Sequence, residues 1–260
     1  MTQDVWSLAP ATVPRPKVEA TDRWIVFRKP RPLARVRLFC FHHAGGNAMA
    51  YRRWVSDLPD WIDVCPVQLP GRGQRIDEPP FIQMQDLVDA FVAQTEPLLD
   101  VPLAVFGHSM GAAVAFAVAE RLGPAVVHVL AAGRRSPSLA SDEALHELDD
   151  SGLELYLDRL GATPTIVFED PELRAHVLEV LRADLTLNDS YRATRPLAAV
   201  PLTVLGGSED QEVPPHALDA WRALTRGEFR QVMFPAEHFF TATCREAVQR
   251  LVVTSLQSFA

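Results

Sequence analysis

Cysteine is scarce in this chain: three residues in 260, Cys40, Cys65 and Cys244, with no C-x-x-C pair. That spacing excludes a disulfide framework and a cysteine-rich zinc site, and a reducing cytoplasm is the expected compartment. Cys40 and Cys65 lie in apolar runs, where core packing accounts for them. Long hydrophobic runs are missing as well. No uncharged apolar stretch approaches the roughly 20 residues needed to span a bilayer, which argues against a membrane protein. Positive charge is in deficit: the net charge is −8, and a nucleic-acid surface needs a basic face. Gly71-Arg72-Gly73 lacks the third glycine of a dinucleotide loop, and Pro79-Pro80 follow before any helix. His146-Glu147 starts a zinc-helix pattern that Asp150 breaks, and the vicinal His42 and His43 do not converge. No metal and no dissociable cofactor is expected.

What is present is ordinary for a globular protein. Hydrophobic residues make up 48% and charged residues 22%, which with this length implies one domain. The polar, proline-rich segment 1–22 has no apolar signal core and is expected to be a flexible tail ahead of a domain over 23–260. Arg23 to Phe27, Val36 to Phe41, Trp61 to Val67, Pro102 to Phe106, Val126 to Ala132, Leu202 to Leu205 and Phe229 to Phe234 read as strands. Helical spacing recurs between them, as in Met84, Leu87, Val88, Phe91 and Val92. Strands alternating with helices predict an α/β fold with a mostly parallel central sheet and helices on both faces. From about 134 to 191 that rhythm stops. Leu145 to Leu160 and Leu173 to Leu185 are amphipathic with no strand between them, so a helical insertion is expected, either a lid over the strand ends or a packed subdomain.

Gly107-His108-Ser109-Met110-Gly111 joins an apolar run to a stretch of small helix formers. A serine that must stand proud of a sheet needs small neighbours two residues either side, because strand and helix approach closely there. A serine hydroxyl is a weak nucleophile and needs a base, itself oriented by a third group. Asp210 follows a strand through Gly206-Gly207, and His238 follows the next strand. The order Ser109, Asp210, His238 is a known triad order. Glu209 and Glu212 compete for the acid's place and His216 for the base's, but Asp210 and His238 have the better turn positions. An oxyanion needs backbone donors: Met110 follows the nucleophile, and Ala44 lies in the glycine-containing loop His42 to Asn47. Arg72 and Arg75 either brace a loop, the favoured role, or meet a phosphate-bearing substrate arm.

With those residues placed, the chain resembles the type II thioesterases that accompany polyketide and nonribosomal peptide synthases. The resemblance rests on Phe41-His42-His43-Ala44-Gly45-Gly46, Gln68 to Gly73, Gly107 to Gly111, Leu181-Arg182-Ala183-Asp184 with Tyr191, and Glu237-His238-Phe239-Phe240. It implies an α/β-hydrolase fold and a discrete, monomeric enzyme with Ser109, Asp210 and His238 as its triad. It also implies a partner, an acyl or peptidyl carrier protein whose phosphopantetheine-linked acyl group is removed when aberrant or stalled. The chain departs from the family pattern at His42, where proline is commoner, at Ser208, often acidic, and at Ala236-Glu237 before the base. Other readings of the same triad are a general carboxylesterase and a chain-terminating thioesterase domain. A non-catalytic carrier-binding protein is the reading from another class.

Overall fold

The computed structural model describes residues 23–139, 144–161 and 165–260. The expected tail, 1–22, lies outside them. Six strands form one sheet in the order β2-β1-β3-β4-β5-β6. They are β1 (Val36–Phe41), β2 (Ile62–Pro66), β3 (Leu103–His108), β4 (Val126–Ala132), β5 (Leu202–Gly207) and β6 (Phe229–Phe234). Every pairing among them is parallel. β1, β3 and β5 are buried along their whole length, as expected of parallel strands covered on both faces and written as near-continuous apolar runs.

Helices α1 (Met84–Thr95) and α2 (Met110–Leu122) cover one face, where Phe39, Phe91, Val105, Phe116 and Trp221 share a core. The other face packs Trp54, Phe106 and Phe240 beneath the C-terminal helix Arg245–Ser255. α2 runs through the middle of the fold. Met110 through Ala119 are all buried, and the small side chains of this stretch let the helix sit close on β1, β3 and β4. None of the described helices is long and apolar enough to cross a membrane.

Between β4 and β5 the chain forms two longer helices, α3 (Asp150–Leu160) and α4 (Pro171–Asp189). Asp149 and Asp170 cap their first turns by accepting backbone N–H bonds. Leu153, Leu157, Leu178, Leu181 and Leu185 make a small separate core, and Ala44 packs against it. The inserted helices therefore sit directly on the loop that follows β1.

Arg23 to Phe27, expected to be a strand, is not one. That segment makes one antiparallel bridge, Ile25 with Val67, and no strand of the sheet. Its apolar residues cover the end of the edge strand β2: Val26 donates to the Pro66 carbonyl at 3.1 Å, and Trp24 packs edge-on against Phe91. Phe27, at φ 62°, then turns the chain away.

His128, in β4, is buried and 2.9 Å from the Thr203 hydroxyl on β5. Burial pushes its pKa down to about 4. Between that value and the ordinary 6.5, the unfolded chain binds a proton that the folded chain does not, so stability rises with pH in this window and falls on acidification. The His128→Gln variant is expected to flatten the dependence of unfolding free energy on pH between 6.5 and 4 by about 1.4 kcal/mol per pH unit. Urea unfolding at a series of pH values measures it. An unchanged slope would remove His128 from the acid sensitivity of the fold.

Candidate active site

The chain leaves β1 for β2 on one side and crosses to β3 on the other, so the carboxyl ends of β1 and β3 mark a switch point where open α/β sheets bind ligands. Ala44 follows β1 there and Ser109 follows β3. Ser109 has φ 54° and ψ −121°, a conformation that few L-residues adopt. Its N–H donates to the Ala132 carbonyl of β4 at 2.8 Å, and its own carbonyl accepts from Ala112 at 2.9 Å. The glycines on either side are obligatory. A Cβ at Gly107 would lie 1.9 Å from the Gly111 carbonyl oxygen, and one at Gly111 would lie 2.2 Å from that of Phe41.

Asp210 and His238 leave neighbouring strands through loops that bond to one another. Ser208 N–H donates to the Phe234 carbonyl at 2.8 Å and Glu209 N–H to that of Ala236 at 3.1 Å. Gly207 makes this approach possible, since a Cβ there would meet the Ala236 carbonyl oxygen at 2.3 Å. The result is a buried pair, with His238 Nδ1 2.8 Å from Asp210 Oδ2. A carboxylate only accepts, so Nδ1 carries the proton and Nε2 is left as the basic nitrogen. The other oxygen of Asp210 accepts the N–H groups of Glu212 and Val213 at 2.9 and 3.1 Å, which fixes the carboxylate. The rivals fall away by position. Glu209 and His216 are exposed, and Glu212 pairs with Arg159 of α3 at 3.0 Å.

His108 was legible only as a filler residue of the serine motif, and the structure gives it work. Its Nε2 lies 2.9 Å from the His238 carbonyl, which can only accept, so the ring donates and holds the backbone at His238. The ring also packs against His43, His238, Phe239 and Phe240. Burial pushes the His108 pKa well below its ordinary value, with the nearby His238 and His43 adding to the effect. His43 is likewise lowered to about 4, mainly by burial. Both rings are therefore neutral at pH 7.

Arg72 is a brace. It makes a buried bidentate pair with Asp184 of α4 at 2.5 and 2.8 Å, and Asp184 also accepts the Gly45 N–H at 2.8 Å. Arg72 further donates to the Gly46 carbonyl at 3.3 Å. Arg75 is also internal, with its guanidinium 4.1 Å from the centre of the Trp24 ring and bonded to the Gln68 carbonyl and Glu78. The Ala44 N–H, in the loop so held, donates to no acceptor among the described residues. Met110 opens α2, where first-turn N–H groups are left without helical partners.

Ser109 and His238 line two cavities together. One, of about 420 Å³, is largely polar and includes Ala44, Met110, Arg134, Asn188 and Gln211. The other, of about 80 Å³, is walled by Ala44, Leu157, Leu160, Val177, Leu181 and Phe239.

A family model described as a thioesterase domain matches residues 36–256. Linear gramicidin dehydrogenase LgrE of Brevibacillus parabrevis is 37% identical over 92% of this chain and 94% of its own. Thioesterase PikA5 of Streptomyces venezuelae is 35% identical over 92% and 89%. The structure of the type II thioesterase BorB from the borrelidin biosynthetic cluster superposes with a TM-score of 0.80, at 32% identity, covering 90% of this chain and 97% of that one. The dehydrogenase in the first of these names has no counterpart in the Gly71 loop, which leads into the 3₁₀ turn Gly73–Arg75 and not into a helix whose N-terminus would hold a pyrophosphate.

Asp184→Asn leaves the buried Arg72 charge without its counter-ion. Losing one partner of a buried pair costs about 3–5 kcal/mol. Urea denaturation of this variant is expected to show a loss of that order; a loss under 1 kcal/mol would mean that the pair is not what holds α4 to the Ala44 loop.

Proposed function

The chain belongs to the thioesterase family, and on that premise we propose that it is a type II thioesterase. It hydrolyses acyl groups from the phosphopantetheine arm of acyl or peptidyl carrier proteins and so clears stalled or aberrant intermediates from a polyketide or nonribosomal peptide assembly line. The observation that carries this reading is the buried His238–Asp210 pair opening onto the same cavities as the strained Ser109.

In the mechanism these groups support, His238 Nε2 takes the Ser109 proton as Oγ attacks the thioester carbonyl. The oxyanion is held by the N–H groups of Met110 and Ala44. The tetrahedral intermediate collapses, and His238 returns the proton to the departing pantetheine sulfur. Water, deprotonated by the same nitrogen, then attacks the acyl-serine and frees the acid and Ser109. Asp210 keeps the imidazole in the required tautomer and stabilises its cationic form. The inserted helices act as a lid that lines the approach, with the polar cavity taking the arm and the small apolar one the acyl chain.

Turnover of a propionyl-carrier thioester is expected to fall roughly 10⁶-fold in Ser109→Ala. Full activity of that variant would exclude the serine mechanism. A preference for a matched oxygen ester over the thioester would instead favour a general esterase. The room beyond Ser109 suits short acyl chains, so kcat/KM should decline from propionyl to octanoyl, and Val177→Ala should shift the optimum to longer chains. An optimum unmoved by that substitution would place the acyl chain elsewhere.

A further inference from the structure

Arg134 follows directly from the strand end that holds the serine turn. Ala132 accepts the Ser109 N–H, Gly133 N–H bonds to the Leu205 carbonyl at 2.9 Å, and the Arg134 carbonyl accepts from Trp221 Nε1 at 2.8 Å. The backbone at Arg134 is thus fixed to both the site and the core. Arg134 lines the larger cavity with Ser109 and His238.

The cations on this wall differ in what they hold. Arg159 pairs with Glu212, and Arg192, which donates to the Tyr191 carbonyl, is exposed to water. Among the described residues the Arg134 side chain bonds to the neutral amide oxygen of Asn188 alone, and its buried Nε has no hydrogen-bond partner there. Asp189, the next residue of α4, exerts some attraction on Arg134 but pairs with His146 at 2.9 Å. Burial pushes the Arg134 pKa down to about 10, which leaves it charged at neutral pH. A charge removed from water is costly unless an opposite charge meets it. Among the described residues no carboxylate comes within bonding distance of the guanidinium, Asp189 acting on it only from further away, and Arg134 is part of the wall of the larger cavity.

We infer that Arg134 is a substrate-binding residue that receives an anionic group of the substrate, through the planar fork that suits phosphate and carboxylate oxygens. Two parts of a carrier-bound acyl group carry such oxygens: the phosphodiester of the arm, and a second carboxylate on the acyl chain. The inference rests on the thioesterase reading, since both anions belong to that substrate.

Three soluble thioesters separate the sources: S-propionyl-pantetheine, S-propionyl-4′-phosphopantetheine and S-methylmalonyl-pantetheine. In the wild-type enzyme, kcat/KM for one anionic substrate is expected to exceed that for the uncharged one by about 10- to 100-fold. An advantage for the phosphorylated substrate assigns Arg134 to the arm, and one for the methylmalonyl substrate assigns it to the acyl chain. Arg134→Gln should bring the favoured ratio close to one, while Arg134→Lys should keep part of it. Wild-type ratios near one for both pairs would overturn the inference, as would an anionic advantage that survives in Arg134→Gln, or an equal loss on all three substrates. The wild-type and lysine measurements decide the matter even if the glutamine variant does not fold. No hydrolysis of the uncharged thioester would sink the thioesterase reading itself, a different result from hydrolysis without discrimination.

Discussion

The buried pair between Arg72 and Asp184 joins segments far apart in the chain into one wall of the site. Taking both ions out of water is expensive, and their attraction offsets this only when the remaining hydrogen-bonding capacity is met. Here it is met by backbone: Gly45 donates to the carboxylate, and the Pro70 and Gly46 carbonyls accept from the guanidinium. The pair is therefore complete only when the Ala44 loop, the Gly71 loop and α4 are all in place. That coupling makes the inserted helices part of the wall that holds the proposed oxyanion donor, with the leucine cluster and Ala44 supplying an apolar contact beside it.

A second constraint acts through neutrality. His43 and His108 are packed around His238, and a charge on either would oppose the imidazolium that the proposed mechanism forms there. Burial keeps both uncharged. His108 then serves as a donor to the His238 backbone and as an aromatic surface, roles that need the ring and not its proton equilibrium.

Much of this was legible because the signals are local and backbone-driven. Glycines at 107 and 111 permit a close approach of strand and helix, and a parallel sheet places successive strand ends on one edge, so the order Ser109, Asp210, His238 pointed to convergence. Choosing among Asp210, Glu209 and Glu212 was harder, since the difference is burial and direction within one turn. The two roles open for Arg72 could not be separated in one dimension because its partner lies 112 positions away. The strand expected at Arg23 to Phe27 misled for a related reason: its apolar residues do enter the core, but by covering the end of β2 instead of extending the sheet. His108 carried no signal beyond its place inside the serine motif.

The backbone at Ser109 is held in its turn at a cost in stability. A non-glycine residue held at φ 54° and ψ −121° carries strain of about 1–3 kcal/mol, and alanine or cysteine at this position would carry it too. Glycine alone escapes it, at an entropic cost of about 0.5–1 kcal/mol. The sturdiest form of this protein would then carry glycine at position 109, so selection for robustness alone would erase the hydroxyl that the proposed mechanism needs.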